Sequence, residues 1–284
     1  MQNILVSTAD LAAHLGDPGW VVFDTRHDLM DVEKGRRLYA EGHIPGAYFL
    51  HVDEDLSGPK TGKNGRHPLP DLDEFAKRIN QCGVKPETQV VMYDDVGGNF
   101  TVRLWWMLRW LGHEKAALLD GGYPLWQKEG RPITKDVPPP RKGAFEPKPW
   151  LGSTVDLPFI ERFREDPSIV LLEARAPERF KGITEPIDPV AGHIPAARNR
   201  FWQDNLLPDG RFKTAERLRD EWTRWLGGAP VAQSVHMCGS GVTACHNLFA
   251  LELAGLGEAR LYPGSWSEWC ADPARPVATG PAQS

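Results

Sequence analysis

The sequence lacks both a surplus of basic residues and a long apolar run. Its 284 residues include 33 Lys and Arg against 38 Asp and Glu, a formal net charge of −5. This balance gives no general attraction to nucleic acid or to an anionic membrane, so neither is expected as a partner. No stretch approaches the roughly 18 consecutive apolar residues of a membrane helix. The N-terminus also lacks the basic and apolar regions of a secretory signal, so we predict a cytoplasmic protein.

Cysteine is scarce, with four residues at positions 82, 238, 245 and 270. They form no Cys-x-x-Cys pair and no cluster with histidine at zinc-site spacing, so we expect no metal. No motif calls for an organic cofactor either. In such a chain the default for a cysteine is a reduced, buried, small residue, which is our prediction for Cys82, Cys245 and Cys270.

The two halves of the chain are related to each other. The string Gly-His-Ile-Pro occurs at 42–45 and again at 192–195, a spacing of 150 residues. Two further correspondences pair residues 21–26 with 170–175, and 120–126 with 263–269. A period this long indicates duplicated domains rather than a solenoid.

A proline-rich segment separates the halves. Residues 136–150 contain five prolines, which favours an extended, semi-rigid linker. We therefore predict a first domain at 1–135 and a second at 151–284, each near the usual domain size. The oligomeric state stays open, although two covalently joined domains are compatible with a working monomer.

Short apolar runs alternate with helical patterns in both halves. The predicted strands are 21–24, 90–93, 170–173 and 235–237. The predicted helices are 73–82 and 101–111, both amphipathic, and 214–226 and 243–254. This alternation predicts the α/β class, with each domain a mainly parallel sheet flanked by helices. Ligands bind such sheets at the carboxyl ends of the strands.

Cys238 begins the string Cys-Gly-Ser-Gly-Val-Thr-Ala at 238–244, between a predicted strand and a predicted helix. The N–H groups of such a turn, together with the helix dipole, favour the thiolate over the thiol. Because the thiolate is the nucleophile, this position predicts covalent sulfur chemistry. Aligning the halves through Gly112 and Gly255 places Asp95 opposite Cys238, so we expect only the second domain to be catalytic.

These features together resemble the tandem-domain rhodanese-family sulfurtransferases, and among them most closely the 3-mercaptopyruvate sulfurtransferases. The resemblance covers nearly the whole chain, through the duplication, the Cys238 turn, the His-Ile-Pro element and the Gly-Ser-Trp-Ser-Glu-Trp element at 264–269. It implies a ping-pong reaction in which Cys238 takes sulfur from a donor and becomes a persulfide. The sulfur then passes to cyanide, a small thiol or a protein thiol.

The resemblance also assigns roles to individual residues. Ser240, together with His43 and Asp31 of the first domain, would transfer a proton to the departing pyruvate enolate. Arg179 would bind the anionic end of the donor, since a guanidinium can bind a carboxylate or sulfonate bidentately. The turn residues that would hold negative charge through their N–H groups are Gly239, Gly241, Val242 and Thr243.

Several of these assignments have alternatives. His43 has a repeat partner in His193, which favours a structural role for both. Members of the family that prefer thiosulfate typically carry basic residues directly after the cysteine, whereas this chain has Gly239 and Ser240. That difference favours 3-mercaptopyruvate. However, the second arginine that mercaptopyruvate enzymes often carry before Gly-His-Ile-Pro is missing from residues 184–189, so thiosulfate remains an alternative donor.

Two other classes of function compete with sulfur transfer. A cysteine phosphatase requires Cys-x5-Arg, but the sixth residue after Cys238 is Ala244, which cannot clamp a phosphate. A non-catalytic rhodanese-like binding module would usually have lost its cysteine, as the first half here has. The retention of Cys238 in a glycine-rich turn therefore favours an enzyme.

Overall fold

The computed structural model describes residues 4–281, which divide into two compact units. Unit 1 comprises the chain up to Gly58, Leu69–Trp150 and the short segment Pro208–Phe212. Unit 2 comprises Pro59–Pro68, Leu151–Leu207 and the chain from Lys213 onwards. Along the chain, the long segment of unit 1 ends at Trp150 and the next segment of unit 2 begins at Leu151. Pro59–Pro68 lies within the predicted first domain, 1–135, but belongs to unit 2.

Unit 1 contains a five-stranded parallel sheet among the described residues, in the order β1-β5-β4-β2-β3. Its strands are β1 (Leu5–Val6), β2 (Trp20–Asp24), β3 (Ala47–Phe49), β4 (Gln89–Tyr93) and β5 (Ala116–Leu119). Its helices are α1 (Thr8–Ala13), α2 (Lys34–Glu41), α3 (Leu72–Asn80), α4 (Thr101–Trp110) and α5 (Gly122–Lys128). The central strands β2 and β4 are apolar and buried, as the β-branched runs predict.

Unit 2 repeats this arrangement with shorter strands. Its sheet has the order β7-β6-β8-β9, and a parallel bridge from Thr154 to Leu261 lies where β1 lies in unit 1. The strands are β6 (Val170–Glu173), β7 (Arg198–Asn199), β8 (Ser234–Met237) and β9 (Arg260–Leu261). The helices are α6 (Leu157–Phe163), α7 (Pro177–Phe180), α8 (Ala215–Leu226), α9 (Ala244–Leu253) and α10 (Ser265–Trp269), with 3₁₀ turns at Trp202–Asn205 and Val231–Gln233. The matching strand order confirms the duplication.

Helix termini follow local chemistry. Asp71 caps α3 by accepting N–H bonds from Asp73 and Glu74, and Thr214 caps α8 by accepting one from Arg217. The helix α4, predicted to be amphipathic, is instead buried at every position from Thr101 to Leu108. It packs against β4 and β5, and helices covering a parallel sheet can be buried on more than one side.

The proline-rich segment 136–150 packs along unit 1 and contains neither a helix nor an extended strand. Its backbone N–H groups donate to carbonyls of unit 1, from Ala144 to Val84 at 2.9 Å and from Lys148 to Leu111 at 2.9 Å. The segment is part of unit 1. No helix among the described residues has the length and apolarity needed to cross a membrane.

The buried His236 makes stability depend on pH. It lies on β8 with no exposed surface, and burial lowers its pKa from 6.5 to about 3. Between these pH values the unfolded chain takes up a proton that the folded chain does not. The free energy of unfolding should therefore fall as pH drops below 6.5, by up to about 1.4 kcal/mol per pH unit from this group. Urea unfolding between pH 4 and pH 8 should show a weaker pH dependence in His236→Leu. If the free energy of unfolding of His236→Leu depended on pH as strongly as that of the native protein, the lowered pKa of His236 would be contradicted.

Candidate active site

Cys238 lies where the strand β8 ends and the turn to α9 begins. The register pairs the preceding residue, Met237, with Glu173 of β6, so Cys238 lies at the carboxyl edge of the sheet. Its exposed fraction is 2%, so the sulfur lies at the bottom of the turn and not on an open surface. The position is the one at which parallel sheets bind ligands.

Backbone hydrogen bonds fix the turn to the segment 263–267. Trp266 N–H donates to the Cys238 carbonyl at 3.0 Å, and Ser267 N–H donates to the Gly239 carbonyl at 2.9 Å. In addition, the Cys238 N–H donates to Ser265 Oγ at 3.1 Å. Gly241 has φ +77°, and a Cβ there would lie 2.3 Å from the Pro263 carbonyl oxygen. The turn therefore requires glycine at this position and is held rigidly before any ligand binds.

Two contacts connect the sulfur to a histidine. The Ser240 N–H donates to Cys238 Sγ at 3.5 Å, which places one turn N–H against the sulfur. The Ser240 hydroxyl oxygen lies 2.7 Å from His67 Nδ1. Ser240 and His67 are 4% and 2% exposed, so their hydrogen bond is shielded from water. A hydroxyl bonded to an imidazole beside a thiol can carry a proton to or from a reacting group.

His67 reaches this place because the loop Pro59–Pro68 folds into unit 2. Arg66 N–H donates to Ser267 Oγ at 2.9 Å, on the segment that also holds the Cys238 turn. Gly65, with φ +81°, allows the close approach, since a Cβ there would lie 2.7 Å from the Gly264 carbonyl oxygen. One short segment therefore positions both the cysteine and the histidine.

Arg179 lies at the end of α7, beside the turn. It donates to Glu185 from Nε at 3.1 Å and from Nη2 at 2.5 Å, and Nη2 is 3.3 Å from Asp188. Burial disfavours the charge on Glu185, but the bonds from Arg179 and from backbone N–H groups outweigh it and lower its pKa. Burial raises the pKa of Asp188, and Arg66 and Arg179 act against that rise. Arg179 Nη2 would lie 3.7 Å from a Cβ on Gly239, so its guanidinium borders the turn.

The structure places the other predicted residues differently. Both ring nitrogens of His43 face backbone carbonyls, Nδ1 that of Tyr39 at 2.8 Å and Nε2 that of Asp136 at 3.1 Å. The ring stacks on Tyr39, as the His193 ring stacks on Phe180, so the two histidines share one structural role. Asp31 is half exposed, and its hydrogen bond from Arg37 lowers its pKa. The histidine that contacts Ser240 is therefore His67, whereas the catalytic roles of His43 and Asp31 stay predictions from the resemblance.

Val242 and Thr243 lead from the turn into the helix α9. Val242 is 2% exposed and Thr243 is partly buried. Their carbonyls accept N–H bonds from Cys245 at 3.1 Å and from His246 at 3.0 Å, which begins the α9 helix. Cys245 points back to the Gly241 carbonyl at 3.4 Å, consistent with the predicted core position.

Comparison with known proteins identifies the family. The rhodanese-like domain model matches the chain twice, over residues 7–129 and 159–272. The chain belongs to the rhodanese family. A protein of Pseudomonas aeruginosa named "Probable 3-mercaptopyruvate sulfurtransferase" is 48% identical over 278 residues, covering 97% of this chain and 98% of that protein.

Two more rhodanese relatives extend this result. The thiosulfate sulfurtransferase of Cricetulus griseus is 31% identical, covering 95% of this chain and 92% of that protein. The crystal structure of SseA from Escherichia coli, described as a 3-mercaptopyruvate sulfotransferase, superposes with a TM-score of 0.80 at 28% identity. That match covers 93% of this chain and 99% of the other, so it includes both rhodanese domains.

The first rhodanese domain fills its equivalent turn with a carboxylate. The strand β4 ends at Tyr93, which pairs with Asp24 as Met237 pairs with Glu173, so Asp94 is the residue opposite Cys238. The predicted counterpart, Asp95, is wrong by one position. The helix α4 begins seven residues after Asp94, whereas α9 begins six residues after Cys238. An alignment of the two halves through Gly112 and Gly255, near the ends of these helices, is therefore shifted by one residue at the turn.

Sequence reasoning missed the loop 59–68. Within it Lys60, Lys63 and Arg66 occur without an acidic residue, in a chain whose net charge is negative. That local basic surplus is a signal for an anion site. It could not show which domain the loop would join, because this depends on packing across about 200 residues of sequence, such as that between Arg66 and Ser267.

The rigidity of the turn can be tested with two alanine substitutions. Gly241→Ala and Gly257→Ala both force a side chain onto positive φ, at +77° and +94°, but only the first meets a backbone atom. The strain common to both should cost about 1–3 kcal/mol of unfolding free energy. Gly241→Ala should cost more and should also abolish activity with any donor. Equal losses of unfolding free energy in the two variants, measured by chemical denaturation, would contradict the close packing of Gly241 against Pro263.

Proposed function

We propose that the chain transfers sulfur from 3-mercaptopyruvate, through a persulfide on Cys238, to a thiophilic acceptor such as cyanide, a small thiol or a protein thiol. The family and its full-length relatives show a sulfurtransferase, and the choice of donor rests on the site. Only the second domain would carry out the chemistry, because Asp94 occupies the cysteine position in the first. A cytoplasmic location and a monomeric working unit remain predictions from the sequence.

The reaction balances without a cofactor. The Cys238 thiolate attacks the donor sulfur, an S–S bond forms, and the carbon–sulfur bond breaks. Its electron pair leaves with the organic fragment as the enolate of pyruvate, which must take up a proton. In the second half the acceptor attacks the outer sulfur and the Cys238 thiolate leaves. Thiosulfate differs, because sulfite leaves with the electron pair and needs no proton.

The hydrogen bond between Ser240 and His67 is the observation that carries the choice of donor. Ser240, whose backbone N–H faces the Cys238 sulfur, also carries the hydroxyl that would supply the proton. The Oγ of this hydroxyl lies 2.7 Å from Nδ1 of His67. Cleavage of 3-mercaptopyruvate requires such a source and cleavage of thiosulfate does not. Ser240 would donate to the enolate and recover its proton through His67.

Arg179 would bind the donor's carboxylate. It is oriented by Glu185 and Asp188, and it borders the turn at the position where a residue-239 side chain would begin. The N–H groups of the turn would stabilise the negative charge of the thiolate and of the persulfide, as Ser240 N–H already faces Sγ.

A thiosulfate preference is the second candidate. Its support is the relative from Cricetulus griseus, named a thiosulfate sulfurtransferase, and the missing arginine in residues 184–189. The two candidates differ in their need for a proton, which allows them to be separated.

Persulfide formation can be followed by mass. Incubation with 3-mercaptopyruvate should add about one sulfur atom to the protein, and Cys238→Ser should abolish the addition. Cys270→Ser is the matched control and should retain it, because burial raises the pKa of Cys270 to about 11 and disfavours its thiolate. Sulfur added to Cys238→Ser as to the native protein would refute the proposal.

The donor can be tested by removing the proton source. Ser240→Ala and His67→Gln should each lower kcat with 3-mercaptopyruvate by about 10²-fold, the size expected for lost general acid catalysis. With thiosulfate the same variants should lose much less, since no proton is needed. Steady-state kinetics with both donors and cyanide as acceptor give the comparison. Equal losses with both donors would remove the support for mercaptopyruvate.

A further inference from the structure

We propose that unit 1 holds a second ligand site, a pocket for a planar aromatic carboxylate, where the proline-rich segment packs on the first rhodanese domain. The pocket has a volume of about 420 Å³, which is within the usual size range of small-molecule sites. It lies between the helices α2 and α3, the strand β3 and residues 137–140. All its lining residues belong to unit 1, whereas Cys238 belongs to unit 2, so the inference does not depend on the proposed sulfur transfer.

Three aromatic rings give the pocket its apolar character, those of Tyr39, Tyr48 and Phe49. The Tyr39 hydroxyl donates to the Ala47 carbonyl at 2.7 Å, and the Tyr48 hydroxyl donates to the Pro139 carbonyl at 2.8 Å. Because both hydroxyl protons are already used within the protein, the two rings offer a ligand mainly their carbon surface. Such rings favour a flat aromatic ligand, which can pack on them in offset or edge-to-face contact.

The proline-rich segment supplies another wall, through Val137, Pro138 and Pro140. Proline has no backbone N–H, so this wall gives a ligand apolar surface and few donors. Val137 is 71% exposed, which leaves an apolar side chain in solvent at the border of the pocket. The wall is fixed from below as well, since the Arg141 N–H donates to the Gln81 carbonyl at 2.8 Å.

Two arginines, Arg36 and Arg78, carry the charge of the pocket, and none of the described residues that line it is acidic. Arg36 binds Glu33 through Nε at 3.3 Å and Glu54 through Nη2. These bonds leave its Nη1 without a hydrogen-bond partner among the described residues. The Arg36 side chain is 42% exposed and that of Glu54 is 59% exposed. Since exposed ion pairs of this kind contribute little stability, a ligand carboxylate can share or replace them at small cost.

The surroundings of the pocket also favour an anion. Arg78 is held in place, because its Nε donates to Asp55 at 2.9 Å and its Nη2 donates to the Phe49 carbonyl at 2.8 Å. Arg141 forms no ion pair with any described residue. Burial raises the pKa of Tyr48, and the positive charge of Arg141 opposes that rise, so this charge acts on the pocket.

The two kinds of surface together define the class of ligand. A small inorganic anion would leave the aromatic and proline walls uncovered, and a neutral aromatic molecule would leave the Arg36 guanidinium unused. A flat aromatic carboxylate satisfies both, because its ring packs on the apolar walls while a guanidinium binds its carboxylate bidentately.

The test compares indole-3-carboxylate with its neutral counterpart, indole-3-carboxamide, by ligand-observed NMR titration of the full-length protein. A planar acid of this size should bind with a Kd of about 1 mM or lower. The carboxamide should bind about tenfold more weakly, the effect expected from losing a charge-assisted contact. Arg36→Met should raise the Kd of the carboxylate by a similar factor and leave that of the carboxamide unchanged.

A second variant locates the ligand independently of Arg36. Val137→Glu places a negative charge at the border of the pocket, on a side chain exposed enough for the fold to tolerate it. It should raise the Kd of the carboxylate by about tenfold or more, since like charges repel and the ring would pack against a charged group. Val96→Glu is the matched control, because Val96 is 41% exposed and does not line the pocket. It should leave the Kd at the native value.

Three results would overturn the inference. One is that the native protein does not bind indole-3-carboxylate. Another is equal affinity for the carboxylate and the carboxamide, which would remove the role of the arginines. The third is a carboxylate Kd that neither Arg36→Met nor Val137→Glu changes, which would place the ligand elsewhere, for example beside the Cys238 turn.

Discussion

The turn after the central strand needs an acceptor for its backbone N–H groups, and the two domains meet this need differently. In the first domain, the Asp94 carboxylate accepts bonds from the N–H groups of Val96, Gly98, Phe100 and Thr101, at 2.9 to 3.1 Å. Burial raises the Asp94 pKa, and these four bonds oppose that rise. In the second domain no carboxylate follows the strand, and the Ser240 N–H faces the Cys238 sulfur. The turn is closed by a carboxylate in the first domain, whereas in the second domain one of its N–H groups faces a sulfur.

Duplication separates structural side chains from functional ones. Arg26 binds Asp24 and the Gly42 carbonyl, as Arg175 binds Glu173 and the Gly192 carbonyl. These pairs occur in both domains and hold the loop that carries Gly-His-Ile-Pro. By contrast, the position equivalent to Cys238 is an aspartate. The residues that the first domain does not repeat are those that we assign to chemistry.

The basic side of the site is built from alternating charges. Arg175, Arg179 and Arg66 are interleaved with Glu173, Glu185 and Asp188, and most of these side chains are buried. Burial disfavours the charge of Arg175, yet Glu173 and Glu185 raise its pKa, so the cation persists. Buried ion pairs of this kind contribute little net stability, but they fix orientation. Fixed guanidiniums bind an anion without first losing side-chain freedom, which is the advantage of a prearranged site.

The sequence determined the class and the duplication, and it is the basis for proposing Cys238 as the nucleophile, because all three depend on local patterns. Apolar runs of strand length predicted β2, β4, β6 and β8 to within one residue, and the glycine spacing required by the Cys238 turn is visible in the string itself.

Residues brought together from distant parts of the chain could not be predicted in this way. His67 meets Ser240 across 173 residues and Arg66 meets Asp188 across 122, through a loop that leaves its own half of the sequence. A repeated motif drew attention to His43, but its ring nitrogens face carbonyls. Periodicity and turn chemistry depend on residues a few positions apart in the sequence. The hydrogen-bond partner of a buried hydroxyl such as that of Ser240 depends instead on tertiary packing, which brings distant segments together.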